Sequence, residues 1–206
     1  MTQLWRGASA FAEAPLLFLT IVTGMVAYYN GGKQGKGETP MVRRKGQDKG
    51  WFQLDNAAMM YSAIQSGNYS AVYRFSAVMT REVDTQALQR AIDRTLPRFP
   101  GFHVKIRRGV FWYYFEPDDA PGPFLQPDIQ NPCQPVYFQN KDQLIRFFYY
   151  RHRISMEVFH ALADGGGALV LFKTLLAVYL RELGEEIPNE EGILDVDEPP
   201  DPQEWE

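Results

Sequence analysis

A single cysteine, Cys133, stands in 206 residues, so neither an intrachain disulfide nor a multi-cysteine metal site can be built. Pro132 and Pro135 flank it, which makes it a loop residue with a structural role, because no histidine is placed in sequence to activate it. Histidines number only three. No serine stands in a G-x-S-x-G frame, which removes the nucleophile elbow of the α/β-hydrolases. The glycine triplet at 165–167 lacks the G-K-[ST] ending of a phosphate-binding P-loop. Lys and Arg are missing from residue 185 onward, where ten of the 25 acidic residues lie. All 21 basic residues therefore sit in the preceding body, which is net positive although the whole chain carries −4. A positive body favours a phosphorylated small molecule, while ordinary surface Lys and Arg account for the same charge.

Long apolar runs are also scarce. Residues 14–29 (APLLFLTIVTGMVAYY) make sixteen uncharged positions, short of the roughly 20 that span a bilayer. Extending back to residue 8 reaches that length at the cost of Glu13. Lys33, Lys36, Arg43, Arg44, Lys45 and Lys49 follow, so an anchor at 8–29 would leave the main domain in the cytoplasm by the positive-inside rule. Two other readings stand beside it: an over-extended translation start ahead of Met41, and a buried helix. Residues 31–39 (GGKQGKGET) form a flexible polar linker in each case.

Hydrophobic residues make up 45% and aromatics 14%, a globular composition in a chain long enough for one full domain. The pattern predicts a helix over 55–64 capped by Asp55, a strand over 69–79, and a helix from Asp84 with Leu88, Ala91, Ile92 and Thr95 on one face. Residues 102–106 and 110–115 form a hairpin around Arg107-Arg108-Gly109, and 144–150 with 153–159 a second turning at Arg151-His152. The Pro-rich stretch 117–135 is loop, and 185–206 has too little apolar content to fold, an acidic disordered tail. Hairpins dominate, so the class is α+β: a mixed, largely antiparallel sheet flanked by helices. The chain divides into an apolar segment with basic linker (1–50), a folded part (51–184) and the tail (185–206).

The organising stretch is 154–183. Ile154, Met156 and Val158 alternate with Ser155, Glu157 and Phe159, the period of a half-buried strand. Leu169, Phe172, Leu175, Leu176 and Tyr179 then recur at helical spacing, with Gly184 as the stop. Between them stands His160-Ala161-Leu162-Ala163-Asp164-Gly165, an H-x-x-x-D-G hexapeptide. A histidine where a strand ends is held by backbone on one side and can face a cleft on the other. Imidazole is also the side chain that exchanges a proton near neutral pH, which a general base requires. His103 and His152 lack such a frame. Asp164 reads either as the orienter of His160 or as a helix cap, and the cap is favoured. Gly165, Gly166 and Gly167 relieve crowding and allow positive φ at the corner. The aromatic run 111–115 is assigned no ligand.

The hexapeptide in its strand–corner–helix setting resembles the active-site motif of the chloramphenicol acetyltransferase-like superfamily, and most of all its bacterial alcohol acetyltransferase-like members. Residues 51–56 (WFQLDN), 96–101 (LPRFPG), 107–115 (RRGVFWYYF) and 154–164 (ISMEVFHALAD) read like the N-terminal half of those proteins, over about 51–183. The resemblance implies a chloramphenicol acetyltransferase-like half-fold and acyl transfer from a CoA thioester to a hydroxyl. His160 would be the base, Asp164 a structural support paired with an arginine, and Gly165 part of the corner. No covalent acyl-enzyme is implied, in keeping with the missing elbow. No metal and no permanently bound cofactor are expected; acyl-CoA, such as acetyl-CoA, is a co-substrate.

Alcohol acetyltransferase-like and condensation-type proteins are about twice this length, with substrates meeting between two halves, whereas chloramphenicol acetyltransferase itself is near this length and trimerises. The implied partners are therefore acyl-CoA, an alcohol acceptor, and either a separate C-terminal half or further copies of the chain, with no nucleic acid. The implied location is cytoplasmic, with the anchor at 8–29 as the membrane-bound variant. Two alternatives stay open: a non-catalytic relic or interaction module, and an amide-forming condensation domain. The latter motif commonly begins H-H, where this chain has Phe159.

Overall fold

The computed structural model describes residues 16–22, 52–54, 56–64, 71–109, 112–137, 143–190 and 192–200. In chain order these form β1 (Leu16–Val22), β2 (Phe52–Gln53), α1 (Asn56–Ile64), β3 (Val72–Met79), α2 (Thr85–Thr95), β4 (Val104–Arg108), β5 (Tyr113–Pro117), β6 (Gln126–Pro127), β7 (Ile145–Tyr150), β8 (Arg153–Phe159) and α3 (Gly165–Glu182). A five-stranded sheet runs β1-β3-β8-β7-β6 and a three-stranded sheet β2-β5-β4. Every pairing is antiparallel except β6 with β7. The mixed, largely antiparallel α+β architecture is the one the sequence predicts.

Local chemistry sets most boundaries. One carboxylate oxygen of Asp84 accepts from the N–H groups of Gln86 and Ala87, both at 2.9 Å, and so caps α2. Ala87, Leu88, Ala91, Ile92 and Thr95 form its buried face. The β7–β8 hairpin turns through Arg151-His152, with Arg151 at φ +49°. The β4–β5 hairpin sits about two residues later than its pattern suggests. Pro100–Phe102 forms a 3-10 turn, with the His103 N–H donating to the Pro100 carbonyl at 3.1 Å, and this removes Phe102 and His103 from the strand. The loop closes through the Gly109 N–H on the Trp112 carbonyl at 2.7 Å. A Cβ at Gly109 would lie 2.9 Å from that oxygen, so glycine is required there.

Two cores sit on the two sides of the large sheet. The larger joins Tyr73, Phe75, Ile154, Met156 and Val158 to α2 and α3. In the smaller, Ala71, Val72 and Phe159 meet Ala58 of α1 and Val104 and Ile106 of β4. Burial on both faces corrects the half-buried reading of β8, since Ser155 and Glu157 are as enclosed as Ile154. Alternation reports polarity, and here the polar positions are covered too.

Two further expectations change. Within the apolar stretch 14–29, Leu16–Val22 is a strand paired with β3 rather than part of a buried helix. Its run of Leu, Phe, Thr, Ile and Val suits a pleated strand. No helix among the described residues is long and apolar enough to cross a membrane. Residues 185–190 and 192–200, expected to belong to a disordered tail, instead lie as an irregular strap against α2 and α3. Ile187 and Ile193 enter the larger core, and the Leu194 N–H donates to the Thr174 hydroxyl at 3.0 Å. The Arg98 guanidinium donates to the Asp195 carbonyl at 3.1 Å, and Arg94 pairs with Asp197. A few apolar anchors and basic partners suffice where the composition alone suggests none. Asp55, residues 65–70, Val110, Phe111 and residues 201–206 lie outside the described residues.

Candidate active site

His160 is placed by strand pairing. Its N–H donates to the Ala71 carbonyl at 2.8 Å, one rung beyond the Val72–Phe159 register, and the neighbouring Phe159 N–H donates to the Leu144 carbonyl at 2.8 Å. The chain then turns, with the Leu162 N–H on the Phe159 carbonyl at 2.9 Å, and enters α3. A carboxylate oxygen of Asp164 accepts from the Gly167 N–H at 2.9 Å and caps that helix. At the far end the Glu185 N–H bonds the Leu180 carbonyl and the Gly184 N–H that of Arg181, with Gly184 at φ +89°. This is a complete Schellman stop, where the sequence puts it.

Two tyrosines grip the imidazole. The Tyr61 ring of α1 stacks on it with centroids 4.4 Å apart and planes 21° from parallel. The Tyr73 ring of β3 meets it edge-on at 5.1 Å and 66°. The Tyr73 hydroxyl lies 3.0 Å from the Ala163 carbonyl and 2.9 Å from that of Asp164, and so ties strand to corner. Burial, with the Asp164 charge second, pushes that phenol well above its ordinary range and keeps it a donor. The imidazole is half-buried, and among the described residues neither of its nitrogens has a hydrogen-bond partner. A ring fixed by contacts but free at its nitrogens can exchange a proton with a bound molecule.

Asp164 is exposed and, among the described residues, forms no ion pair with an arginine; its carboxylate works as a cap. Gly165, Gly166 and Gly167 begin α3 without positive φ, and a Cβ at Gly165 would meet nothing within 4 Å. Crowding and left-handed backbone therefore do not explain Gly165. His103 follows the 3-10 turn, and His152 lies in the β7–β8 turn at the opposite end of β8 from His160. Cys133 is half-buried at φ +56°, and its N–H donates to Glu157 at 2.6 Å.

Sequence reasoning misses both tyrosines, whose contacts with position 160 span 99 and 87 residues of chain, beyond any periodicity. It also misses a buried charge network on the sheet face opposite α2 and α3. Arg74 donates to Glu157 through Nε at 2.9 Å and Nη2 at 2.6 Å, and to Asp128 through Nη1 at 2.7 Å. Arg146 pairs with the other Glu157 oxygen at 2.8 Å, and Arg153 with Asp128 at 2.8 Å. Burial opposes the Arg74 charge, yet the hydrogen bonds to Asp128 and Glu157 raise its pKa above the ordinary value. Arg74, Asp128, Arg146 and Glu157 border a cavity of about 50 Å³, room for water rather than substrate. No cluster of metal-ligating side chains exists among the described residues.

No family model matches the chain, and no curated protein matches it in sequence. Solved structures do match it in fold. Polyketide synthase associated protein 5 from Mycobacterium tuberculosis superposes with TM-score 0.50 at 18% identity, over 67% of this chain and 34% of that one. The starter condensation domain of the rhizomide synthetase RzmA gives 0.51 at 13% identity, over 68% and 40%. A variant of that domain in complex with C8-CoA and Leu-SNAC gives 0.53 at 13%, over 70% and 38%. The chain thus spans at most two fifths of the length of these solved proteins. Over about two thirds of its length, the chain shares part of the fold of these condensation-domain-like structures.

Proposed function

We propose that this chain is the histidine-bearing part of a CoA-thioester-dependent O-acyltransferase of the alcohol acetyltransferase-like type. One observation carries the reading: His160 is held at a strand end by backbone and two rings, with its nitrogens unengaged among the described residues. In the reaction, an acceptor hydroxyl attacks the thioester carbonyl while neutral His160 takes its proton. The tetrahedral adduct then expels the CoA thiolate, which receives that proton and leaves as thiol. The new ester bond replaces the thioester bond, and His160 returns to its starting state. Asp164 and the Tyr73 hydroxyl keep the corner in shape for this exchange.

The test is release of free CoA from acetyl-CoA with a panel of alcohols. The chain is assayed alone and with any polypeptide that supplies the rest of a two-part site. His160→Ala is expected to abolish turnover and leave the far-UV spectrum and unfolding midpoint unchanged. Retained turnover in that variant removes the base from His160. No turnover in any combination leaves a non-catalytic module that keeps the motif.

An amide-forming reaction is the second reading, favoured by the RzmA domain variant solved with C8-CoA and Leu-SNAC. Amine acceptors in place of alcohols separate the two. Amide product without ester product would decide for condensation.

A further inference from the structure

We infer that Tyr61 is a positioning residue for His160, its ring face both fixing the imidazole plane and stabilising the positive charge that the imidazole gains with a proton. The inference rests on the proposed acyl transfer for its chemical purpose, but its physical content can be read without turnover. The stack at 4.4 Å and 21° places the π-face of Tyr61 against the imidazole. An aromatic face attracts a cation lying over it, and more strongly when both are partly withdrawn from water. Tyr61 is half-buried, and so is His160.

The helix that carries Tyr61 is built to hold it there. Ala58 and Ser62 are buried at 5% and 3% exposure, and with Tyr61 they share one face of α1 at i, i+3 and i+4. Met60, off that face, is 52% exposed. Two small side chains let α1 sit close to the end of the sheet, so that the long tyrosine reaches past them to position 160. Tyr73 supplies the second contact edge-on at 66°, so the ring is held from two directions.

Tyr61 from α1 and Tyr73 from β3 touch the imidazole, and Asp164, four residues on at the start of α3, carries the negative charge of the corner, its carboxylate accepting from the Gly167 N–H. Tyr73 stays a neutral donor to the corner carbonyls.

The experiment is a proton NMR titration of the imidazole signals, three histidines in all, with the His160 signal assigned by its loss in His160→Gln. Tyr61→Phe keeps the face and is expected to titrate with the wild-type midpoint. Tyr61→Leu removes it and is expected to weaken proton affinity by about two- to fivefold. Should Tyr61→Leu unfold, Tyr61→Trp decides: its larger face should raise the midpoint. A wild-type midpoint in Tyr61→Leu, or in its place a fall or no change in Tyr61→Trp, overturns the inference. A Tyr61→Phe variant as weakened as Tyr61→Leu overturns it too, since the hydroxyl rather than the face would then matter. Lack of turnover in the wild type removes the proposed function and leaves these titration outcomes to judge the stack.

Discussion

On one face of the five-stranded sheet Tyr73, Phe75, Ala77, Met79, Ile154, Met156 and Val158 pack against α2 and α3. On the other face of the same two central strands stand Arg74, Ser76, Ser155 and Glu157, and they are as thoroughly buried. The first face is stabilised by hydrocarbon removed from water, a term indifferent to partner and proportional to area. The second depends on partners. Arg74 faces Glu157 directly across the strands, Glu157 faces Arg146 in turn, and the Ser76 and Ser155 hydroxyls lie 2.8 Å apart. One face tolerates repacking, while the other demands complete pairing, because an orphaned charge is far more costly than a missing methyl group.

Removing one member of the charged row should therefore cause the largest loss. Glu157→Ala leaves Arg74 and Arg146 without their shared carboxylate and is expected to cost about 3–5 kcal/mol in urea unfolding. Phe172→Ala on the hydrocarbon face, where the ring stacks on Phe75 at 6.1 Å, should cost a similar 3–5 kcal/mol or so through the cavity it opens. What separates the faces is recovery. Arg74→Met with Glu157→Leu should regain most of the loss, since Asp128 keeps Arg153 and Arg146 keeps the Gln134 carbonyl. A double variant as unstable as Glu157→Ala would show that the row is not electrostatic in origin.

Smaller effects sharpen the same contrast. Ser76→Ala should cost about 1–3 kcal/mol by stranding the Ser155 hydroxyl, and adding Ser155→Ala should restore much of it. Asp164→Ala removes the cap of α3, worth about 1 kcal/mol, and should lower turnover by loosening the corner. The smallest effect is acidic. Hydrogen bonds from Arg90 and then Arg94 hold the Glu182 carboxyl below the usual range. Its contribution is fully present above the unfolded value and is lost as pH falls through the lower folded one. Neutralising it with Glu182→Gln should cost under about 1 kcal/mol at neutral pH and flatten that part of the acid profile.

The fold was legible where short-range chemistry decides it. The Asp84 cap, the β7–β8 turn and the stop at Gly184 follow from a few adjacent residues, as does the corner bearing His160. What escaped lies in pairings across long stretches of chain. Glu157 reads as a solvent-facing strand position until Arg74, 83 residues earlier, is seen opposite it. Tyr61 and Tyr73 read as ordinary helix and strand aromatics until the register brings both to His160. Residues 185–200 read as tail because two isoleucines cannot announce a docking site that other elements create. The arginine expected at Asp164 came from resemblance, and the described residues place none there.

The bond from the His160 amide to the Ala71 carbonyl makes the position of the proposed base the last rung of a ladder and not a member of a loop. Its deuterium uptake should be as slow as that of Met156 in the middle of the strand, while Gly165 and Gly166, a few positions on, exchange quickly. The imidazole would then inherit the stillness of the sheet, while the glycines that open α3 lie outside its ladder.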